Sequence, residues 1–427
     1  MKLRQRIKAV QSFIGQRREA LQFDGVRDPR RRRGRRWLAQ TLLSMATMSL
    51  MMQARSLRAA ERLSEDLVGG RLKGLARRVP DSTLGDFLAE VSPTPLRRHL
   101  HKHVLAEHRR KALEPTVLPI RAVAIDGKCV ATLDHEANRF CQKQSGTEGK
   151  GPHWLFRVVN ATLISSAAAV CIDQQPIPAA TNDMGVFPSF FAALMRTYGR
   201  ANLFDVVTAD AGFCSEANAR IIDDAGKGYW ISLKENQPEL RHEAERVLLA
   251  MATQCEPEAQ TDWESDSTRG WIRRQLWRTD EMAQWGKWTH LRQVVLVRVL
   301  VRDGRSGPER VLEDRYYVTN LVRGRLRGTA MLDLTRAHWR IENNLHGALD
   351  IQWQEDHGRW VQRGNGLPVT ALLRVLAYNL LSVMRAVHLR TIEARAATWD
   401  QLRNWVRDAM VWPDLVGRDQ EGIPVTP

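Results

Sequence analysis

"LFDVVTADAGFCSEANARIIDDAGKGYWISLK", residues 203–234, decides the fold. Leu203 to Asp210 is a short apolar, β-branched run closed by an acid, which predicts a buried strand. Ser215 then offers an N-cap, the following residues read as a helix with a glycine stop, and "YWISLK" is a second strand. Strand, helix and strand in so short a span predict a β-α-β passage, so part of the sheet is parallel.

Working outward, "TVLPIRAVAIDGKCVATLD" (116–134) predicts a strand to Asp126, a tight turn at Gly127 and a strand again. "HWLFRVVNATLISSAAAVCI" (153–172) continues as strands. Beyond the β-α-β passage, "WIRRQLWRT", "HLRQVVLVRVLVRD" and "RVLEDRYYVTNL" alternate and are separated by breaks such as "GRSGP", which predicts a β-rich insertion. Helices resume near 329 and run to the end. The opening part also reads as helical, with a helix start near Asp81 or Ser82 and a break at Pro93 and Pro95. The expected division is a basic helical domain over 1–115, the first part of an α/β core over 116–254, the β-rich insertion over 255–328, and helices completing the core over 329–427.

A chain of 427 residues, 43% apolar and 26% charged, is ordinary for a soluble globular protein of two or three domains. The net charge of +16 is unevenly placed: residues 1–120 hold 26 basic and 11 acidic side chains, and the rest is nearly balanced. A concentrated basic segment favours a polyanion such as DNA or RNA, with acidic lipid as the competitor. Its densest part is "DPRRRRGRRW" (28–37), where Arg30, Arg31, Arg32, Arg33, Arg35 and Arg36 are expected to contact phosphate. The following "WLAQTLLSMATMSLMMQ" (37–53) is shorter than the roughly 20 residues of a membrane span and carries polar residues throughout, so it predicts a buried helix. No other stretch is read as a span, and no membrane partner is expected. Five scattered cysteines without a CxxC pair predict reduced thiols and a cytoplasmic protein. The set Cys129, His135, Cys141 and His153 matches no common zinc-finger spacing.

Asp126 and Asp210 each close an apolar strand, where a carboxylate stays accessible and two can converge on a metal. The segment "TRAHWRIENNLHGALDIQW" (335–353) predicts a helix packed through Ile341, Leu345, Ala348 and Leu349, with His338, Glu342 and His346 on an adjoining stripe. Glu342 supplies a third acid. Such hard oxygen ligands suit Mg²⁺ or Mn²⁺, two of which, roughly 3.5–4 Å apart, serve phosphodiester chemistry. A zinc ion shared by His338, Glu342 and His346 is disfavoured, because i to i+8 spans about 12 Å of helix.

"AIDGK", "TADA", "LKENQP", "YYVTNL" and "HWRIENNLHGALDIQWQEDHGR", in this order, resemble the catalytic region of bacterial insertion-sequence transposases of the DDE type, in the branch typified by ISAs elements. "DPRRRRGRRWLAQTLLSMATMSLMMQARSLRAAERL" with "RVPDSTLGDFLAEV" is similar to the N-terminal helical domain associated with that family, and "LLRVLAYNLLSVMR" to its closing helix. The resemblance implies an α/β fold: a ribonuclease-H-like catalytic core with a β-rich insertion, preceded by an N-terminal all-helical domain. It implies Asp126, Asp210 and Glu342 as catalytic acids holding two Mg²⁺ (or Mn²⁺) ions. His338 and Arg340 are then expected to approach phosphate or orient the carboxylate, with Asn343 and His346 as lesser candidates. Lys128, Lys234 and Asn236 are expected at DNA. The implied partner is double-stranded DNA, both element ends and target, bound by a homodimer in the bacterial cytoplasm at the nucleoid. The sequence departs from the family pattern at Phe213, Glu235 and Gly347, where His, Gly and Trp are usual, which places it on a diverged branch. A catalytically silent, transposase-derived DNA-binding protein is the alternative reading, and a nuclease on the same fold a third; the intact acids favour the enzyme.

Overall fold

The computed structural model describes residues 2–411 apart from 69–71, 73–74, 147–150, 267 and 358–359. The expected helical character of 412–427 lies outside the described residues. The chain opens with helices α1 (Leu3–Gln16), α2 (Ala39–Met51), α3 (Leu57–Asp66), α4 (Asp81–Glu90) and α5 (Pro93–Arg109). Strands β1 (Ala122–Leu133), β2 (Cys141–Gln144), β3 (His153–Leu163) and β4 (Cys171–Pro176) follow. Next come α6 (Asp183–Tyr198), β5 (Val206–Ala209), α7 (Glu216–Asp224), β6 (Gly228–Leu233) and α8 (Pro238–Gln254). A strand-rich stretch holds β7 (Ala259–Gln260), β8 (Glu264–Asp266), β9 (Gly270–Thr279), β10 (Gln293–Arg302) and β11 (Arg310–Thr319). The chain then returns to helix with α9 (Gly328–His338), a π-helical segment Ile341–His346, α10 (Gly347–Trp353), α11 (Gly366–Val383), α12 (Ile392–Arg395) and α13 (Trp399–Val411).

The β-α-β passage forms as its residues dictate. Ser215 Oγ accepts from Asn218 N at 3.1 Å to cap α7, and Gly226 adopts φ +68° after its end. β5 therefore runs parallel to both β1 and β6. On its other side β1 pairs antiparallel with β3, which pairs antiparallel with β4, so the strands of the core stand in the spatial order β4, β3, β1, β5, β6. Among the described residues eleven strands join one mixed sheet.

Three expectations change. β1 runs unbroken from Ala122 to Leu133, without the turn expected at Gly127; its one irregularity is a bulge between Cys129 and Ala131. Gly127 is needed for a different reason, since any Cβ there would collide with the Asp183 carboxylate. The β-rich stretch does not stand apart from the core: β11 pairs antiparallel with β6, Tyr316 opposite Leu233, so β9, β10 and β11 extend the same sheet. Finally, Gly366–His388 is long and apolar enough to cross a membrane, and its most apolar window is wholly buried inside the protein. It packs against α2, α4, α5 and β4, and this burial on every side explains its composition. In α2 itself, Gln40 alone escapes burial. The N-terminal helices and α11 thus share one continuous apolar core with the sheet.

Candidate active site

Parallel pairing of β1 with β5 ends at Ile125 opposite Ala209. The next residue on each strand is an acid, so Asp126 and Asp210 occupy equivalent positions on adjacent strands, whose spacing is about 4.8 Å. Asp210 caps the short turn Ala211–Phe213, its Oδ1 accepting from Gly212 N at 3.0 Å. β1 continues past Asp126 while β5 stops at Ala209, so both acids lie at the carboxyl end of β5. Ligands of open α/β sheets bind outside the carboxyl ends of the strands.

The π-helical segment carries Glu342 to the same place. Burial, Asp210 and Glu342 together push the Asp126 carboxyl up to about 8. Burial raises Glu342, with Asp210 adding to it, while Arg315 and Lys234 oppose the rise. Burial also raises Asp210, and the Asp183 carboxylate adds to it. Carboxylates that raise one another in this way repel, and a cation between them removes the repulsion.

The two histidines of the helix part company. His338 lies in the core with Nδ1 2.8 Å from Thr208 Oγ1 on β5, and burial lowers it to about 4. It therefore braces the helix against the sheet and does not reach phosphate, contrary to expectation. His346 meets the site instead, with Nδ1 3.5 Å from Asp126 Oδ2. Burial, with Lys128 nearby, lowers His346 to about 3, so the ring is neutral and this is no ion pair. Asn160, opposite Asp126 on β3, donates Nδ2 to His346 Nε2 at 3.1 Å, and its own Oδ1 accepts from Gln174 Nε2 at 3.0 Å. With Nε2 accepting, the ring proton is assigned to Nδ1 and faces Asp126. The π segment breaks the four-residue stripe that the sequence suggested, which is why the second histidine and not the first adjoins an acid.

Asp183, the first residue of α6, is a fourth carboxylate here that sequence reasoning passed over. Its one signal, an acid directly after the cap residue Asn182, reads as an ordinary helix start.

Of the expected DNA contacts, Lys234 is exposed and close enough to oppose the pKa rise of both Asp210 and Glu342. Arg31, Arg32, Arg33 and Arg36 are exposed. Arg35 is exposed too, though part of its guanidinium is used within the fold; the others are corrected because their donors are used within the fold. The Lys128 ammonium is buried, 2.5 Å from Asp350 Oδ1 and 3.3 Å from Glu355 Oε2. Arg340 donates to the carbonyls of Ile164, Ser166 and Ala167. Asn236 donates to those of Ala211 and Cys214. Arg30 pairs with Asp28 and donates to Trp37 O, and Arg35 donates to Asp28 O and Arg30 O. Arg315 was missed: it is paired with Glu313 Oε1 at 2.5 Å, lies 5.0 Å from the half-exposed Trp339 ring, and still helps hold Glu342 charged.

Among the described residues no three or more His, Cys, Asp or Glu side chains stand grouped so that they could hold a metal ion between them. The all-carboxylate set nonetheless fits Mg²⁺ or Mn²⁺, since Mg²⁺ keeps much of its water and takes one or two carboxylates plus substrate oxygen. Asp183 Oδ1, buried without a hydrogen-bond partner, agrees with that fit.

Comparison with known proteins adds the family. The chain is 25% identical over 271 residues to "Putative protein YbfL" of Escherichia coli strain K12, covering 61% of this chain and 64% of that protein. It is 23% identical over 267 residues to "Putative transposase YncI" of Escherichia coli O157:H7, covering 61% of each. The chain thus spans less than two thirds of the length of these relatives. A piggyBac transposase synaptic complex with hairpin DNA superposes with a TM-score of 0.42 and 9% identity, over 93% of this chain and 77% of that one. Residues 118–380, more than half of the sequence and including Asp126, Asp210 and Glu342, match the transposase DDE domain, and the chain belongs to that family.

Proposed function

We propose that this protein is a DDE transposase of the ISAs-type branch, with a ribonuclease-H-like core, that binds the ends of an insertion sequence and catalyses strand cleavage and strand transfer. The observation that carries the reading is that Asp126, within β1, and Asp210, just after β5, both directly follow the last parallel pair of those strands, with Glu342 close enough to raise Asp126. The core strand order β4, β3, β1, β5, β6, antiparallel on one side of β1 and parallel on the other, supports the fold assignment.

Asp126, Asp210 and Glu342 would hold two Mg²⁺ or Mn²⁺ ions. Bound there, the ions supply activation of the attacking oxygen and stabilisation of the leaving oxygen, first with water and then with the freed 3′-hydroxyl. His346 keeps Asp126 oriented through a proton fixed by Asn160. Lys234 and Arg315 place positive charge at the Glu342 edge, where a phosphate would lie. Exposed arginines near the N-terminus grip double-stranded DNA through its backbone, and a homodimer holds the two ends together.

The test is incubation of the purified protein with Mg²⁺ and a linear DNA carrying the sequences that flank its gene. Nicks at fixed positions at both flanks support the reading. Tight binding of the flanks without any nick supports the catalytically silent alternative.

A further inference from the structure

Asp183 begins α6 behind Asn182, whose side chain accepts from Gly185 N at 3.0 Å. An acid at a helix start is commonplace, but this one is placed where that role does not require it. Arg157, on β3, holds Asp183 Oδ2. The other oxygen, Oδ1, is buried and has no hydrogen-bond partner among the described residues. It sits against the backbone of β1 at Gly127, next to Asp126, in space that a Cβ would fill. The Asp183 charge is felt by both Asp126 and Asp210.

A carboxylate oxygen removed from water, denied a donor and set among other carboxylates is unfavourable unless a cation completes it. Arg157 cannot do so, because it is engaged with Oδ2. The glycine matters for the same reason: strand β1 passes straight through Gly127, so its missing side chain serves the approach of Asp183 and not a turn.

We propose that Asp183 is a fourth carboxylate of the divalent-cation site, with Arg157 fixing one oxygen so that the other stays available beside Asp126. The proposal rests on the reading of Asp126, Asp210 and Glu342 as that site.

The test is Mn²⁺ binding to the full-length, metal-free protein without DNA, by calorimetry and by the thermal shift that Mn²⁺ produces. Asp183→Asn keeps the shape of the side chain and should weaken Mn²⁺ binding about 10- to 100-fold, the range seen when groups around a metal site are lost. Gly127→Ala retains every carboxylate and should weaken binding as well, by displacing Asp183. Asp126→Asn is the reference for loss of the site. Wild-type Mn²⁺ affinity in Asp183→Asn beside a defective Asp126→Asn would overturn the proposal alone and leave Asp183 as the structural partner of Arg157. If Asp183→Asn does not fold, unchanged affinity in Gly127→Ala overturns it equally. Unchanged affinity in Asp126→Asn would overturn the underlying cation site.

Discussion

His346 Nδ1 lies 3.5 Å from Asp126 Oδ2, whereas His338, two helical turns earlier in the same segment, is turned away to Thr208. The resemblance favours His338 over His346, and the fold reverses that order. His346→Ala should therefore slow strand nicking by about 10²-fold or more, since a misoriented carboxylate forfeits positioned electrostatics. His346→Gln, which can still donate toward Asp126, should recover part of the rate. His338→Ala should instead lower stability by about 1–3 kcal/mol, leaving Thr208 unpartnered, with little change in rate per folded molecule. Nicking rates and urea midpoints for the three variants check this, and a larger rate loss in His338→Ala than in His346→Ala would reverse the assignment.

Lys128 is clamped between Asp350 and Glu355, and Arg374 lies 3.7 Å from Glu355 on its other side. Removing one member of such a buried group strands the others' charge. Lys128→Met should cost roughly 3–5 kcal/mol of stability. The salt dependence of DNA binding by the folded fraction should stay as in the wild type, because the ammonium does not reach phosphate. A reduced salt slope with normal stability would return Lys128 to the DNA surface.

The arginine run divides in the same manner. Arg31, Arg32, Arg33 and Arg36 are exposed, so replacing them with alanine should weaken DNA binding and flatten log K against log salt by roughly 0.9 for each phosphate no longer neutralised. Arg30, with its side chain 13% exposed and bonded to Asp28 and Trp37 O, should behave as a structural residue. Arg30→Ala should cost about 1–3 kcal/mol and leave the slope alone. Titration of DNA binding across salt concentrations separates the two classes.

The β-α-β passage was legible because its determinants are local: Ser215 caps α7, and Gly226 follows its end with positive φ. The acids were legible because each closes an apolar run. What escaped is settled by residues distant in the chain. Gly127 reads as a turn because its true cause, the Asp183 carboxylate, belongs to a helix far downstream. Lys128 reads as a surface cation because its partner Asp350 is 222 positions away. The β-rich stretch reads as separate because nothing local announces that Tyr316 pairs with Leu233. Ile341, Leu345, Ala348 and Leu349 are buried as read, but the π segment Ile341–His346 separates His338 from His346 and changes their relative direction, so the histidine stripe misled.

His103 gives the protein a predictable acid limb. Burial, with His99, Arg17 and Arg110 adding to it, lowers this imidazole from 6.5 to about 3, and neither ring nitrogen has a hydrogen-bond partner among the described residues. The folded state binds fewer protons than the unfolded chain in this window. Its contribution to stability is thus complete above pH 6.5 and is lost as pH falls toward 3. His103→Leu removes an unpaired buried polar group, so it should match or exceed wild-type stability at neutral pH and lose less on acidification. Urea midpoints measured across that range check both statements; equal acid sensitivity in the two proteins would assign the limb to other groups.

Whether Asp126, Asp210 and Glu342 act as one cation-holding unit on DNA is measured by strand nicking of an element-end duplex in Mg²⁺ by Asp126→Asn, Asp210→Asn, Glu342→Gln and the triple variant. DNA affinity and thermal unfolding are recorded on the same preparations. Each single variant should bind DNA and fold but not nick, and the triple variant should be scarcely worse than any one of them, as expected of groups acting together. Nicking at the wild-type rate by any single acid variant would contradict such a unit.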